Sequence, residues 1–176
     1  MSEVSESTIE IVRLEAADWE TLRGVRLRAL SDTPTAFGSS YETESALSDS
    51  DWREKAHKWT DPERCATWIA RRDERVVGLV ACVFDADQVG RAWLVSMWVD
   101  PEVRRAGLGT RLIETARRWA EAGGASDWCL HVTSNNDAAA RLYETVGFTA
   151  TGDSMPHPRF HDLIEHEMRQ VLGASR

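Results

Sequence analysis

The feature that most constrains this chain is a short stretch near its middle, Val99-Asp100-Pro101-Glu102-Val103-Arg104-Arg105-Ala106-Gly107-Leu108-Gly109-Thr110. It separates two unlike periodicities. Ala92–Val99 reads as a strand. From about Gly107 to Ala122, Leu108, Leu112, Ala116, Trp119 and Ala120 recur at helical spacing until Gly123-Gly124 ends the run. Pro101 stops the strand because it cannot donate to a ladder. Gly107 and Gly109 lack a Cβ, so the backbone can turn tightly there and come close to a ligand. The amides from Arg105 to Thr110 open the helix, lack intrahelical acceptors and sit at the positive end of its dipole, worth about half a charge. Arg104 and Arg105 add two formal charges. Val103–Thr110 therefore reads as an anion seat, with a diphosphate as its natural occupant. Short glycine patterns also start ordinary helices, and it is the position between a strand and a long amphipathic helix that favours the anion site. The loop lacks the Lys-Ser/Thr ending of a P-loop, and its glycines are not spaced as in a dinucleotide-binding turn, which disfavours a nucleotide-triphosphate enzyme.

Around this stretch the chain alternates strands and helices. Thr8–Leu14 alternates apolar and polar residues, as a half-buried strand does. Asp18 can cap a helix whose face Trp19, Leu22, Val25/Arg26 and Leu30 runs until Pro34. Thr33–Asp51 is polar and broken by Pro34 and Gly38, hence a loop or irregular helix, and Asp51–Trp59 is a second helix with Trp52, Ala56 and Trp59 on one face. Strands follow at Thr67–Arg71 and Arg75–Phe84, the second apolar enough to be covered on both faces. Beyond the central helix come a strand at Trp128–Thr133, a helix at Asp137–Val146 closed by Gly147, and strands from Phe148 and over Leu163–Leu172. Strand–helix–strand crossovers make part of the sheet parallel, so the fold class is α/β.

With 176 residues and no linker-like stretch, the chain is expected to form one domain, residues 1–176, burying roughly two thirds of its unfolded surface. No apolar run approaches the roughly 18 residues that span a membrane, and Met1–Ser7 is too polar for a signal peptide. Cys65, Cys82 and Cys129 are scattered and odd in number, the usage of a reduced, cytoplasmic protein. The five histidines lack metal-ligand spacing, so no metal is expected; His161 and His166 would need a third ligand. The net charge of −8 argues against a nucleic-acid partner.

Two blocks of the sequence carry a resemblance. The first is Leu94-Val95-Ser96-Met97-Trp98-Val99-Asp100-Pro101 leading into Arg104-x-x-Gly107-x-Gly109. The second is Val132-x-x-x-Asn136-x-x-Ala139-x-x-Leu142-Tyr143-Glu144-x-x-Gly147-Phe148. In this order, with a helix between them, they resemble the GCN5-related N-acetyltransferase (GNAT) superfamily, firmly from about Arg75 to Phe148. Ala36–Glu42 further resembles one large bacterial branch. The resemblance implies the GNAT fold: a mixed central sheet of about seven strands with about four helices, splayed between the fourth and fifth strands. It also implies acetyl-coenzyme A as co-substrate, a small-molecule or peptide amine as acceptor, and a homodimer.

By the same resemblance, backbone groups around Met97, Trp98 and Val99 hold the pantetheine arm like an added strand. Arg104, Arg105, Ala106, Gly107, Leu108, Gly109 and Thr110 seat the pyrophosphate. Asn136 reaches the pantetheine, and Tyr143 acts as general acid toward the departing thiolate. Leu142 and Phe148 read simply as core.

The acceptor side is less determined. Stripping a proton from a lysine-like amine at pH 7 costs about 3.4 pK units, roughly 4.6 kcal/mol, whereas an α-amine costs about one unit, so a base is needed for some acceptors only. Glu42, Glu44 and His131 are the candidate bases, Glu42 first among them; Glu44 reads better as a solvated loop carboxylate, and Tyr41, Glu42, Trp98 and His131 are candidate substrate residues. His131 has the alternative of a structural strand histidine, and Trp98 either walls the cleft or belongs to the core. Asp153–Asp162 reads as a long turn, with His157 and Arg159 exposed unless they close the cleft. Catalysis of amine acetylation leads; a non-catalytic acyl-coenzyme A-binding regulatory module and an acyltransferase with a longer acyl donor are the alternatives.

Overall fold

The computed structural model describes residues 8–173; the N-terminal segment read above as too polar for a signal peptide lies outside them. Seven strands form one sheet in the order β1-β2-β3-β4-β5-β7-β6. They are β1 (Ile9–Arg13), β2 (Cys65–Arg72), β3 (Arg75–Phe84), β4 (Arg91–Val99), β5 (Asp127–Thr133), β6 (Thr149–Pro156) and β7 (Ile164–Val171). All neighbours are antiparallel except β4 and β5, which run parallel and pair only from Arg91–Trp93 to Asp127–Cys129. Beyond Trp93 the two strands part, and this is the splay the resemblance implied.

The helices are α1 (Trp19–Asp32), α2 (Tyr41–Ser45), α3 (Asp49–Trp59), α4 (Leu108–Ala122) and α5 (Asp137–Thr145). Two of them amend the sequence reading. The Thr33–Asp51 stretch holds the extra short helix α2. It also supplies the start of α3, fixed by a capping box between Ser48 and Asp51 that satisfies two otherwise orphan donors. β6 runs to Pro156, so the first four residues of the expected long turn are strand.

The two faces of the sheet carry separate cores. α4 and α5 cover one, with Leu112, Ile113, Ala116 and Ala120 packed on Val77, Val80, Trp128 and Leu130. α1 and α3 cover the other, packing Leu22, Val25, Leu30 and Trp52 on Ile69, Leu79 and Trp98. β3 is buried from Val77 to Cys82 because it has apolar neighbours on both sides. Among the described residues no helix is long and apolar enough to cross a membrane.

Candidate active site

The site begins with an irregularity in β4. Leu79 lies opposite Trp98 and Ala81 opposite Val95, so Ser96 and Met97 share the single partner Val80. The extra residue is a β-bulge, and Ser96 takes it up with φ of 55°. The bulge bends β4 just beyond the point where its pairing with β5 stops. The edge of β4 that faces β5, from Leu94 onward, therefore pairs with no strand among the described residues. A cleft of about 630 Å³ occupies the opening, lined along β4 from Trp93 to Val99.

At one end of the cleft lies the loop that opened the sequence argument. Asp100, 2% exposed, accepts from Glu102 N–H and from the guanidinium groups of Arg28 and Arg75, and so pins the chain where β4 ends. Burial alone would raise its pKa, but these donors and charges outweigh burial and hold the carboxyl below its ordinary value. Arg105 has φ of 65° and Gly107 φ of 78°, so the chain turns twice through left-handed conformations before α4. The amides of Arg105 to Thr110 find no acceptor among the described residues, while Arg111 N–H already bonds Gly107 O. A row of unsatisfied donors at a helix N-terminus is an anion site. Gly109 keeps it open: a Cβ there would come within 2.9 Å of Leu142 Cδ2 and 3.4 Å of Met97 Cε.

The two arginines of the loop play different parts. Arg104 donates from Nε to Val99 O at 2.9 Å and pairs with Asp32, which also accepts from Trp98 Nε1 at 2.9 Å. Arg104 thus ties the end of α1 to the end of β4. Arg105 has no ion pair among the described residues and lines the cleft with its charge unspent. Gly107, Gly109 and Thr110 line the cleft as well; Ala106 does not, and the Leu108 side chain is buried in the core under α4.

α5 supplies the opposite wall through Asn136, Ala138, Ala139, Leu142 and Tyr143. Asn136 is the N-cap of α5, its Oδ1 accepting from Ala139 N–H. Tyr143 is 7% exposed and packs edge-on against Phe148, 6.0 Å between ring centres. Burial pushes its phenol up to about 12. Leu142 and Phe148 pack in or against the core, as read from the sequence.

At the other end the lining comes from Thr33, Ala36, Phe37 and Gly38 after α1, Trp93 on β4, His131 and Thr133 on β5, and Pro158 and Glu165 around β7. His131 stacks on Trp93 at 4.9 Å, its Nε2 4.0 Å from Glu167. Tyr41 and Glu42 lie exposed on the first turn of α2, outside the residues that line the cleft. Trp98 is 4% exposed and belongs to the core, touching the cleft only where β4 does.

Three side chains depart from the sequence reading. Glu44 is not solvated but 2% exposed, held bidentately by Arg26 and by Lys55 at 3.2 Å. Arg26 lies between the rings of Phe37 and Trp59 and reaches Ser96 Oγ at 3.2 Å, joining α1 to the bulge. His157 is likewise buried, with Nδ1 accepting from the Arg159 and Phe160 amides and Nε2 donating to Thr35 O. Arg159 donates to the carbonyls of Pro34, Phe37 and Ser39. The β6–β7 turn and the 33–39 segment are thereby stitched into one roof over the cleft. Backbone carbonyls left without partners in the Pro/Gly-broken segment are what draw these side chains inward. Among the described residues no three His, Cys, Asp or Glu side chains are grouped to hold a metal ion.

Comparison with known proteins bears on this geometry. Residues 27–148, well over half of the chain, match the family model for the acetyltransferase (GNAT) family. Human N-acetyltransferase 8 is 33% identical over 90 residues, 49% of this chain and 40% of that protein, so the match spans about two fifths of the relative. A GNAT-family acetyltransferase from Streptococcus pneumoniae superposes with a TM-score of 0.80 at 22% identity, covering 94% of this chain and all of that one. The structure of yncA from Salmonella typhimurium with its cofactor acetyl-CoA gives 0.76 at 21% identity, covering 97% of each. At these identities the structural likeness concerns the fold.

Proposed function

This chain belongs to the acetyltransferase (GNAT) family, and from that premise we propose that it moves the acetyl group of acetyl-coenzyme A to a primary amine by direct attack in a ternary complex. The observation that carries the reading is the row of six unsatisfied amides, Arg105 to Thr110, opening into the same cleft as Tyr143. A diphosphate fits those donors, an extended pantetheine fits the unpaired edge of β4 at Met97 and Val99, and the Gly109 gap leaves room for both. Bound acetyl-coenzyme A would supply an activated thioester and a thiolate leaving group. The chain's own residues hold and orient it: Arg105 and the loop amides at the pyrophosphate, Asn136 from the start of α5, Arg104 through the end of β4.

Tyr143 serves the leaving group. With its phenol near 12 and an ordinary thiol near 8.5, complete proton transfer is uphill by about 3.5 units, roughly 5 kcal/mol. That is a steeper climb than an unperturbed phenol would face. The hydroxyl makes no hydrogen bond to the described residues, so it is available to donate to the sulfur as charge builds there. Proton removal from the amine falls to the acceptor end, where His131 lines the cleft.

The test is thiol release from acetyl-coenzyme A with a panel of primary amines. Amine-dependent release, with a product heavier by one acetyl group, is expected. Release independent of any amine overturns the reading. Melting shifts with acetyl-, succinyl- and free coenzyme A separate acetyl transfer from use of a longer donor.

A further inference from the structure

The cleft is electrically two-ended. Of the charged side chains that line it, Arg26 is neutralised by Glu44 and Arg104 by Asp32, which leaves Arg105 unpaired at the diphosphate end. At the opposite end stands Glu165, the one carboxylate among the described residues lining the cleft. It sits on β7 opposite Thr133 of β5, whose side chain donates to Thr35 O and so is turned to the same roofed end. The side chain of Glu165 is 16% exposed and accepts no hydrogen bond from the described residues. A carboxylate so covered is an unmet acceptor unless a ligand meets it.

The nearest cationic candidate is His157, with Nε2 3.8 Å from Glu165 Oε1. It does not neutralise the carboxylate. Nδ1 already accepts from two backbone N–H groups, so the ring carries its proton on Nε2, and Nε2 is bonded to Thr35 O at 3.1 Å. Arg159 is committed to three backbone carbonyls. His131 lies next to Glu167 instead. The roof beside Glu165 adds Phe37 and Pro158 to the lining, from the two segments that meet at Thr35 and His157.

Resting on the acetyl-transfer reading for the identity of the other end, we infer that Glu165 is the acceptor-binding residue and that the acceptor enters as a cationic aliphatic amine. The carboxylate pairs with an ammonium group other than the amine that is acetylated, and the aromatic and proline walls take the hydrocarbon body between them. Weakly basic arylamines and neutral hydroxyl compounds of the same shape leave Glu165 unpaired and are rejected.

The experiment titrates 1,5-diaminopentane and uncharged 1,5-pentanediol into the protein, with and without free coenzyme A, by calorimetry. The wild type is expected to bind the diamine about tenfold or more tightly than the diol, the size of a charged hydrogen bond. Glu165→Gln should lose that margin for the diamine and leave the diol unchanged, while Glu165→Asp, which keeps the charge, retains part of it. Unchanged melting temperatures establish that both variants fold. Equal binding of diamine and diol by the wild type, or equal binding of the diamine by wild type and Glu165→Gln, overturns the assignment. Because binding is read without turnover, a wild type that binds the diamine through Glu165 but releases no thiol from acetyl-coenzyme A overturns the acetyl-transfer reading alone.

Discussion

The two ends of the cleft are built from different materials. The diphosphate end is backbone: six amides, a bulge with Ser96 in a left-handed conformation, and two further positive-φ residues, all within β4 and the dozen residues after it. The roofed end is side chain: Arg26, Glu44, His157, Arg159 and Glu165, drawn from segments more than a hundred residues apart. Backbone recognition tolerates change in most side chains, because any residue supplies an amide. A side-chain site depends on each named group and on the partners that bury it. Substitutions should therefore act differently at the two ends, through local conformation at one and through unpaired buried charge at the other.

The largest effect should come from the buried pair behind the roof. Glu44→Ala leaves the Arg26 guanidinium 5% exposed and without its counterion, and removing one partner of a buried pair costs about 3–5 kcal/mol. Chemical denaturation should show that loss. Replacing both partners by Met should recover most of it, since the cost lies in the orphaned charge. If Glu44→Ala and the double variant are equally unstable, packing rather than charge governs this region.

The same pair sets an acid limit. Burial raises the Glu44 pKa, but the hydrogen bonds and charge of Arg26 and the charge of Lys55 prevail and hold it below 4.5. A depressed folded pKa contributes stability above the unfolded value and loses it as pH falls through the folded one. Melting temperature should thus hold steady above about pH 4.5 and drop below it, with Asp100 contributing in the same direction. Glu44→Gln should flatten part of that drop.

At the junction of the two ends, Tyr143→Phe should lower kcat about 100-fold, the smaller end of what a positioned proton donor contributes. The melting temperature should barely move, because the hydroxyl has no partner among the described residues to lose. An unchanged kcat would mean that the sulfur leaves without help from this residue.

The difference between the ends also explains what could be read from the sequence. Pro101, Gly107, Gly109 and the helical repeat after them are local determinants, so the loop and its anion chemistry were legible within twelve residues. The bulge was not. Leu94 to Val99 is apolar but for Ser96, as in any covered strand, and only pairing with β3 reveals that Ser96 and Met97 share one partner. α2 was hidden because five residues are too few for a 3.6 period to show. Glu44 looked solvated because its burial depends on Arg26 eighteen residues earlier. Glu165 sits in a largely polar strand, and which of its faces meets the cleft depends on the register with Thr133, which no spacing within β7 encodes.

The smallest effects should fall on the backbone end, and their smallness is itself the sharpest test of the comparison. Gly107→Ala forces a Cβ into a left-handed conformation in open space, at a cost of about 1 kcal/mol, while leaving every amide in place. Arg105→Ala removes the one cation lining the cleft that is unpaired among the described residues, but again no amide. An exposed ion pair contributes about 0.2–1 kcal/mol, so KM for acetyl-coenzyme A should rise by no more than about fivefold. Added salt should shrink the gap between wild type and variant, since an exposed charge is screened and a hydrogen-bonded amide is not. A loss of a hundredfold or more on Arg105→Ala would mean that a side chain, not the row of amides, holds the diphosphate, and the two ends of the cleft would then be built on the same principle.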